Sequence, residues 1–267
     1  MKRAHSSVVA MVVIAVVLCG AAPAFAQIPL GTAQNFAVLG GSTVTNTGPS
    51  NITGNLGVSP GSSVTGFPPG VVTGGSIHAA DAVAAQAQSD LTTAYNTAAG
   101  TPCGVDLTGQ NLGGLVLTPG VYCFTSSAAL TGTLTLNFQG NPNAAFLFKI
   151  GSTLTTASAS SVILTNNAGV TCPPNVNWQV GSSATLGTGS TFIGNILALT
   201  SITLTTGANV TGRALARNGA VTLDTNGVSI GACAAVAPIP ALGSAGLIVL
   251  LALLAGVGVF LIKRVAS

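Results

Sequence analysis

The chain has 267 residues, of which only 4% are charged and 48% are apolar, with 35 Gly and few aromatics. Four of its cations (Lys2, Arg3, Lys263, Arg264) lie at the two ends; between them Lys149, Arg213 and Arg217 face Asp81, Asp90, Asp106 and Asp224, a net −1. A near-neutral body excludes nucleic acid as a partner, which needs clustered Lys and Arg, and Val, Ile, Leu and Ala alternating with Thr, Ser and Asn point to a packed β chain.

Residues 1–26 read as a secretory signal peptide, with Lys2-Arg3, an apolar run from Val8 to Leu18 and Ala24-Phe25-Ala26 as a small-x-small cleavage site. Cleavage there leaves Gln27 as the mature start. Cys19 suggests a lipoprotein, but Leu18 is bulky where that processing wants a small residue.

Residues 31–75 carry short alternating runs, among them Phe36-Ala37-Val38-Leu39, Thr43-Val44-Thr45 and Ile52 to Val58. Pro60, Pro68 and Pro69 mark turns. From Ser76 to Ala99 the pattern changes: Ile77, Ala80, Val83, Ala84, Ala87, Leu91, Ala94, Tyr95 and Ala98 recur at helical spacing. The spacing predicts one amphipathic helix, N-capped by Ser76 and stopped by Gly100 and Pro102, whose Ala stripe can lie close along a flat sheet. His78 and Asp81, one turn apart, read as a capping or surface pair in preference to a catalytic one.

Further strands are predicted either side of Pro119-Gly120, through Leu130–Asn137, over Ala144–Ile150 and at Ser152–Thr156. Phe146, Phe148 and Trp178 belong to the core. Lys149 is expected to reach solvent by its stem or to pair with an Asp.

The stretch from Val180 to Ile230 repeats itself. Leu186 and Leu204 are 18 positions apart, as are Gly194 and Gly212, and Leu223 follows Leu204 by 19. Short alternating runs at this period, separated by Gly turns, predict stacked coils of a β-solenoid.

Four Cys follow the signal peptide, an even number that in an exported chain implies disulfides. Three connectivities are open. The sequential one, Cys103–Cys123 and Cys172–Cys233, is preferred over the others and over a metal site, since His78 is the one His left and no Cys-x-x-Cys occurs. No cofactor is implied.

After the domain (27–235) comes a Pro-Ile-Pro hinge within 236–241, an apolar segment at 242–262 and a basic tail at 263–267. About 20 apolar residues suffice to span a bilayer, and Lys263-Arg264 predicts a cytoplasmic end. Ile239-Pro240-Ala241-Leu242 resembles the Ile-Pro-Thr-Leu type of sorting signal of Gram-negative bacteria, which implies a membrane and a sorting protease as partners. It departs at Ala241 and lacks the Glu-Trp pair. The expected location is outside the cell, secreted or anchored at the surface.

The domain as a whole resembles the bacterial and fungal ice-binding proteins. The resemblance is carried by Phe36-Ala37-Val38-Leu39-Gly40, Asp81-Ala82, Leu112-Gly113-Gly114, Thr118-Pro119-Gly120-Val121-Tyr122, Phe146 to Ile150, Gly194 to Ala198 and, most specifically, Gly212 to Leu223. It implies an all-β fold with one long helix: a discontinuous right-handed β-helix with an α-helix packed alongside. It also implies an ice crystal surface as the ligand, met by Thr-Ala/Gly-x-Thr/Asn motifs on one flat face. Thr188-Gly189-Ser190-Thr191 and Thr206-Gly207-Ala208-Asn209 fit that pattern, and Thr156-Ala157-Ser158-Ala159 and Thr47-Gly48-Pro49-Ser50 fit in part. The resemblance thus nominates Thr156, Ser158, Thr188, Ser190, Thr191, Thr206, Ala208, Asn209 and Thr225 as contact residues, with the Asp224 coil as the end of the surface.

Ice offers no charge, so a binder needs a flat, rigid, weakly polar surface. β-branched Thr has restricted χ1 and supplies a hydroxyl beside a methyl, although Thr is also enriched in strands for reasons of propensity alone. Two rivals belong to other classes. A polysaccharide-active enzyme needs paired carboxylates, whereas the four Asp are scattered and Glu is absent. A surface adhesin would share the solenoid and the anchor without needing a flat Thr row.

Overall fold

The computed structural model describes residues 27–167, 169 and 175–231. The predicted signal peptide, hinge, apolar segment and basic tail, together with Cys172 and Cys233, lie outside them. Among the described residues no helix is long and apolar enough to cross a membrane.

The strands form two parallel sheets, one of seven strands and one of 15. The larger makes two faces, because Thr191–Ala198 and Asn209–Ala216 are each eight residues long and bend at Gly194 and Gly212. Both glycines have positive φ (118° and 145°). At Gly212 a Cβ would lie 2.0 Å from the Gly194 carbonyl oxygen, so the close approach of the two bends admits only Gly. The solenoid therefore has a seven-strand face, a second face formed by the first halves of these long strands and their neighbours, and a third face formed by the second halves.

Inward side chains fill one continuous core. Leu154, Ala184, Ile202, Val221 and Val44 point in from the seven-strand face; in the centre Phe148 stacks on Trp178 at 3.8 Å between centroids, and Phe192 meets Trp178 at a tilt, 4.8 Å away. Trp178 is fully buried as expected, and its Nε1 donates to the Ile193 carbonyl.

The coils do not stack in chain order. The first coil, with strands Phe36–Gly40, Thr43–Thr47 and Asn51–Thr53, pairs with the last one, through Val38↔Ala214, Thr45↔Thr222 and Ile52↔Val228. The second, with strands Asn55–Val58, Ser63–Thr65 and Val71–Thr73, lies beyond it. The helix Ala82–Gly100 then carries the chain back along the third face to the other end. Its 19 residues span about 28 Å at 1.5 Å per residue, or roughly six strand spacings. Ala87, Leu91, Ala94, Tyr95 and Ala98 pack on Leu39, Leu147, Leu197 and Leu215 of that face, forming a second core.

The helix begins later than the sequence suggests. Ile77–Ala79 is a strand that pairs with Leu56–Val58, so Ser76 is not the cap. Asp81 is the N-cap, accepting from Ala84 N at 2.8 Å and contacting His78 Nδ1 at 2.7 Å. Lys149 does not pair with an Asp; its Nζ donates to the Thr101 carbonyl just past the helix. The Cys103–Cys123 disulfide forms, tying the chain after the helix to the strand Gly120–Phe124.

Candidate functional site

On the seven-strand face each strand turns residues outward between inward-pointing neighbours; in Ser63–Thr65 it is Val64 that packs on the core and Thr65 that faces out. The register aligns Ala129↔Thr155, Thr155↔Thr185, Thr185↔Thr203, Thr203↔Thr222, Thr222↔Thr45 and Thr45↔Thr65. Six Thr thus form an unbroken row at one per coil, about 24 Å long at a ~4.8 Å strand spacing. Thr43 and Ser63 pair in the flanking row, and Thr153 Oγ1 donates to Ser127 Oγ at 2.8 Å. None of these Thr belongs to a Thr-Ala/Gly-x-Thr/Asn motif. Their signal is the middle Thr of the triplets Leu154-Thr155-Thr156, Ala184-Thr185-Leu186, Ile202-Thr203-Leu204 and Val221-Thr222-Leu223.

The Thr-Gly-x-Thr motifs turn the corner onto the second face. Thr188 and Thr206 are exposed in successive turns, with Ser158 and Thr225 exposed in the turns either side. Thr191 and Asn209 begin strands on the second face, paired with each other and, through Thr191, with Ser161. A further row there mixes polar and apolar residues: from Thr211 it runs through Ser229, Thr53 and Thr73 to one end, and Ile193, Ile163, Thr135 and Val116 lie toward the other. The second face is therefore less uniform than the seven-strand face.

Three nominated residues cannot touch a ligand. Thr156 (3% exposed), Ser190 (1%) and Ala208 (0%) point inward. The reason is the turn itself. Thr156 ends its strand on the core side and accepts from Gly187 N, while Ser190 Oγ donates back to the Gly187 carbonyl at 2.6 Å. In the last coil Asn226 takes the Ser190 position and donates to the Thr205 and Ala208 carbonyls. In the motifs at 188–191 and 206–209 the third residue points into the corner and the first and fourth face out; in Thr156-Ala157-Ser158-Ala159 the first points in and the third out, because the strand register puts Ser160 at the Ser190 position. Nor does the Asp224 coil end the surface, because the rows of Thr45 and Thr65 continue beyond it.

Charge is segregated from these faces. Asp81 and Asp90 are on the helix, and Arg213, Arg217 and Lys149 are on the third face beneath or beside it. Asp106 lies in the strand Val105–Asp106 of the same sheet face. Arg213 is almost fully buried, donating to the Gln34 carbonyl and to Asn195 Oδ1, and burial pulls its pKa down to about 10. Arg217 stacks 4.8 Å from the Tyr95 ring centroid. Both are structural cations with neutral partners. Asp224 alone stands at the Thr rows, its carboxylate accepting from the hydroxyls of Thr206 and Thr225.

A parallel solenoid with one helix among the described residues, carrying hydroxyl rows with a single carboxylate, Asp224, on the faces the helix leaves open, defines a surface-binding scaffold. The comparisons identify its class. The model of the ice-binding-like family matches residues 38–229. An ice-binding protein of Nostoc sp. (strain HG1) is 64% identical over 201 residues, covering 75% of this chain and 73% of that one. The crystal structure of an ice-binding protein from an Antarctic biological consortium is 50% identical with a TM-score of 0.74, covering 78% of this chain and 93% of that one. That of the Antarctic ascomycete Antarctomyces psychrotrophicus is 40% identical with a TM-score of 0.73, covering 77% and 99%. The chain belongs to the ice-binding family.

Proposed function

We propose that the domain adsorbs to ice through the hydroxyl surface that meets at the motif corner. The single observation that carries this reading is the unbroken outward row Thr155, Thr185, Thr203, Thr222, Thr45 and Thr65, in register at one Thr per coil. The exposed motif residues Ser158, Thr188, Thr191, Thr206, Asn209 and Thr225 extend it around the edge. The coil backbone fixes one spacing of the grid, and the ~6.7 Å repeat of same-face residues along a strand fixes the other. Each Thr enters with little side-chain entropy left to lose. The rows hold water-ordering methyls beside hydroxyls, and the body's charges, Asp224 excepted, are elsewhere.

Binding rather than catalysis fits the acids present. Asp81 and Asp90 are engaged in capping and in holding Thr32, and Asp106 binds its own neighbour Thr108. The sequence of residues 1–26 and 236–267 supports export, with the domain either secreted or held at the cell surface by the apolar segment 242–262.

Ice affinity partitioning tests the function. The purified domain should be taken up into a growing ice hemisphere, and Thr203→Tyr should reduce uptake without unfolding. A folded domain excluded from ice would leave the adhesin reading in its place.

A further inference from the structure

We infer that Gln27 is a modification site: once the signal peptide is removed, its α-amino group closes on its own side chain to form a neutral pyroglutamyl N-terminus over the Arg213 cavity. The inference rests on the export reading above, which puts cleavage between Ala26 and Gln27. The fold anchors the chain directly after Gln27. Ile28 and Leu30 are buried in the core beneath the helix (3% and 8% exposed), and Leu30 leads into a 3₁₀ turn at Gly31–Asn35 that holds Arg213 through the Gln34 carbonyl. Gln27 itself is exposed, so its side chain is free to swing to its own backbone nitrogen.

The setting favours a neutral end. Gln27, Ile28, Pro29, Leu30, Gly31, Gln34 and Arg213 line one open cavity of about 330 Å³. Among the described residues, the Arg213 guanidinium in its wall meets three neutral acceptor contacts and no carboxylate. A free α-ammonium at Gln27 would add a second cation to the lining of the same open cavity, and like charges disfavour each other's charged forms. Cyclisation removes it. The α-amino nitrogen attacks the side-chain amide carbon Cδ, the new C–N bond closes a five-membered lactam, and the side-chain nitrogen leaves as ammonia. No oxidant or co-reactant is needed. The lactam keeps a carbonyl acceptor and loses the charge.

The test is intact and peptide mass spectrometry of the full chain expressed with its own N-terminal segment and recovered from the exported fraction. The expected result is an N-terminal peptide starting at Gln27 and lighter by one ammonia, resistant to stepwise degradation until treated with pyroglutamyl aminopeptidase. Gln27→Ser should start at the same position with a free, amine-reactive N-terminus. A peptide starting at Gln27 with the full mass and a free amine overturns the modification while sparing the export reading. A chain that keeps residues 1–26, or starts elsewhere, overturns both.

Discussion

Alanine at Gly212 and alanine at Gly207 separate two ways in which a solenoid depends on glycine. Both positions have positive φ, 145° and 71°, and in the left-handed region an L side chain costs about 1–2 kcal/mol. At Gly207, in the exposed motif turn, the nearest atoms to a new Cβ are 4.0 Å away, so that strain is the whole cost. At Gly212 the Cβ would stand 2.0 Å from the Gly194 oxygen and 2.6 Å from its carbonyl carbon. That contact is backbone against backbone, and it is relieved only by separating two paired strands, at a further ~1–3 kcal/mol typical of overpacking. Gly212→Ala should therefore cost about 2–5 kcal/mol against about 1–2 for Gly207→Ala. For a domain of this size 1 kcal/mol corresponds to roughly 2–4 °C, so the extra ~1–3 kcal/mol at Gly212 should separate the two midpoints by roughly 2–12 °C. Calorimetry and urea unfolding of residues 27–237 would measure it. Equal losses in the two variants would refute the claim that close packing of the bends, rather than φ alone, demands glycine at Gly212.

Trp178→Ala should destabilise by about 3–5 kcal/mol, because the ring is fully buried between Phe148 and Phe192; urea titration checks this. Replacing Cys103 and Cys123 by Ser opens a link across 20 residues and should cost about 3 kcal/mol by loop entropy, read as a lower midpoint that a reductant also produces in the parent. Asp81, Asp90 and Asp106 have carboxyls held below the usual range, chiefly by the Ala84 N–H, the Thr32 hydroxyl and the Thr108 hydroxyl respectively. Their contribution is thus fully present above the unfolded value of 3.8 and is lost as pH falls through the lower folded values. The melting midpoint should drop below about pH 4, and Asp81→Asn should blunt that drop. In the motif, Ser190→Ala should lower stability with little change in ice affinity per folded molecule, whereas Thr188→Tyr should do the reverse; hysteresis and melting curves on the same samples distinguish them.

The repeat was readable because each coil from Val180 to Ile230 carries its own Leu, Thr and Gly at fixed spacing. Which coils are neighbours was not readable, because a local period says nothing about long-range order. The sequence order makes the Asp224 coil an end, whereas Thr45 and Thr65 of the first two coils continue the row of Thr222 beyond it. The helix start was displaced because Ile77 and Ala80 happen to extend the apolar spacing into a segment that instead pairs with Leu56–Val58. The motifs were found, but motif spacing alone does not say which side chain faces in. The small residues Ser160, Ser190 and Ala208 recur where the corner closes, and that pattern distinguishes fasteners from contacts. The Thr of the triplet strands were passed over because each one taken singly is ordinary β-propensity; only the register turns them into a row.

The most direct test of ice adsorption is the thermal hysteresis of residues 27–237 compared with the double variant Thr185→Tyr/Thr203→Tyr, at matched concentration and with melting midpoints checked. The parent should hold ice growth below the melting point, and the variant, with two bulky rings standing out of the row, should lose most of that activity while melting at the same temperature. Undiminished hysteresis in a folded double variant would contradict the assignment of the Thr row as the contact surface.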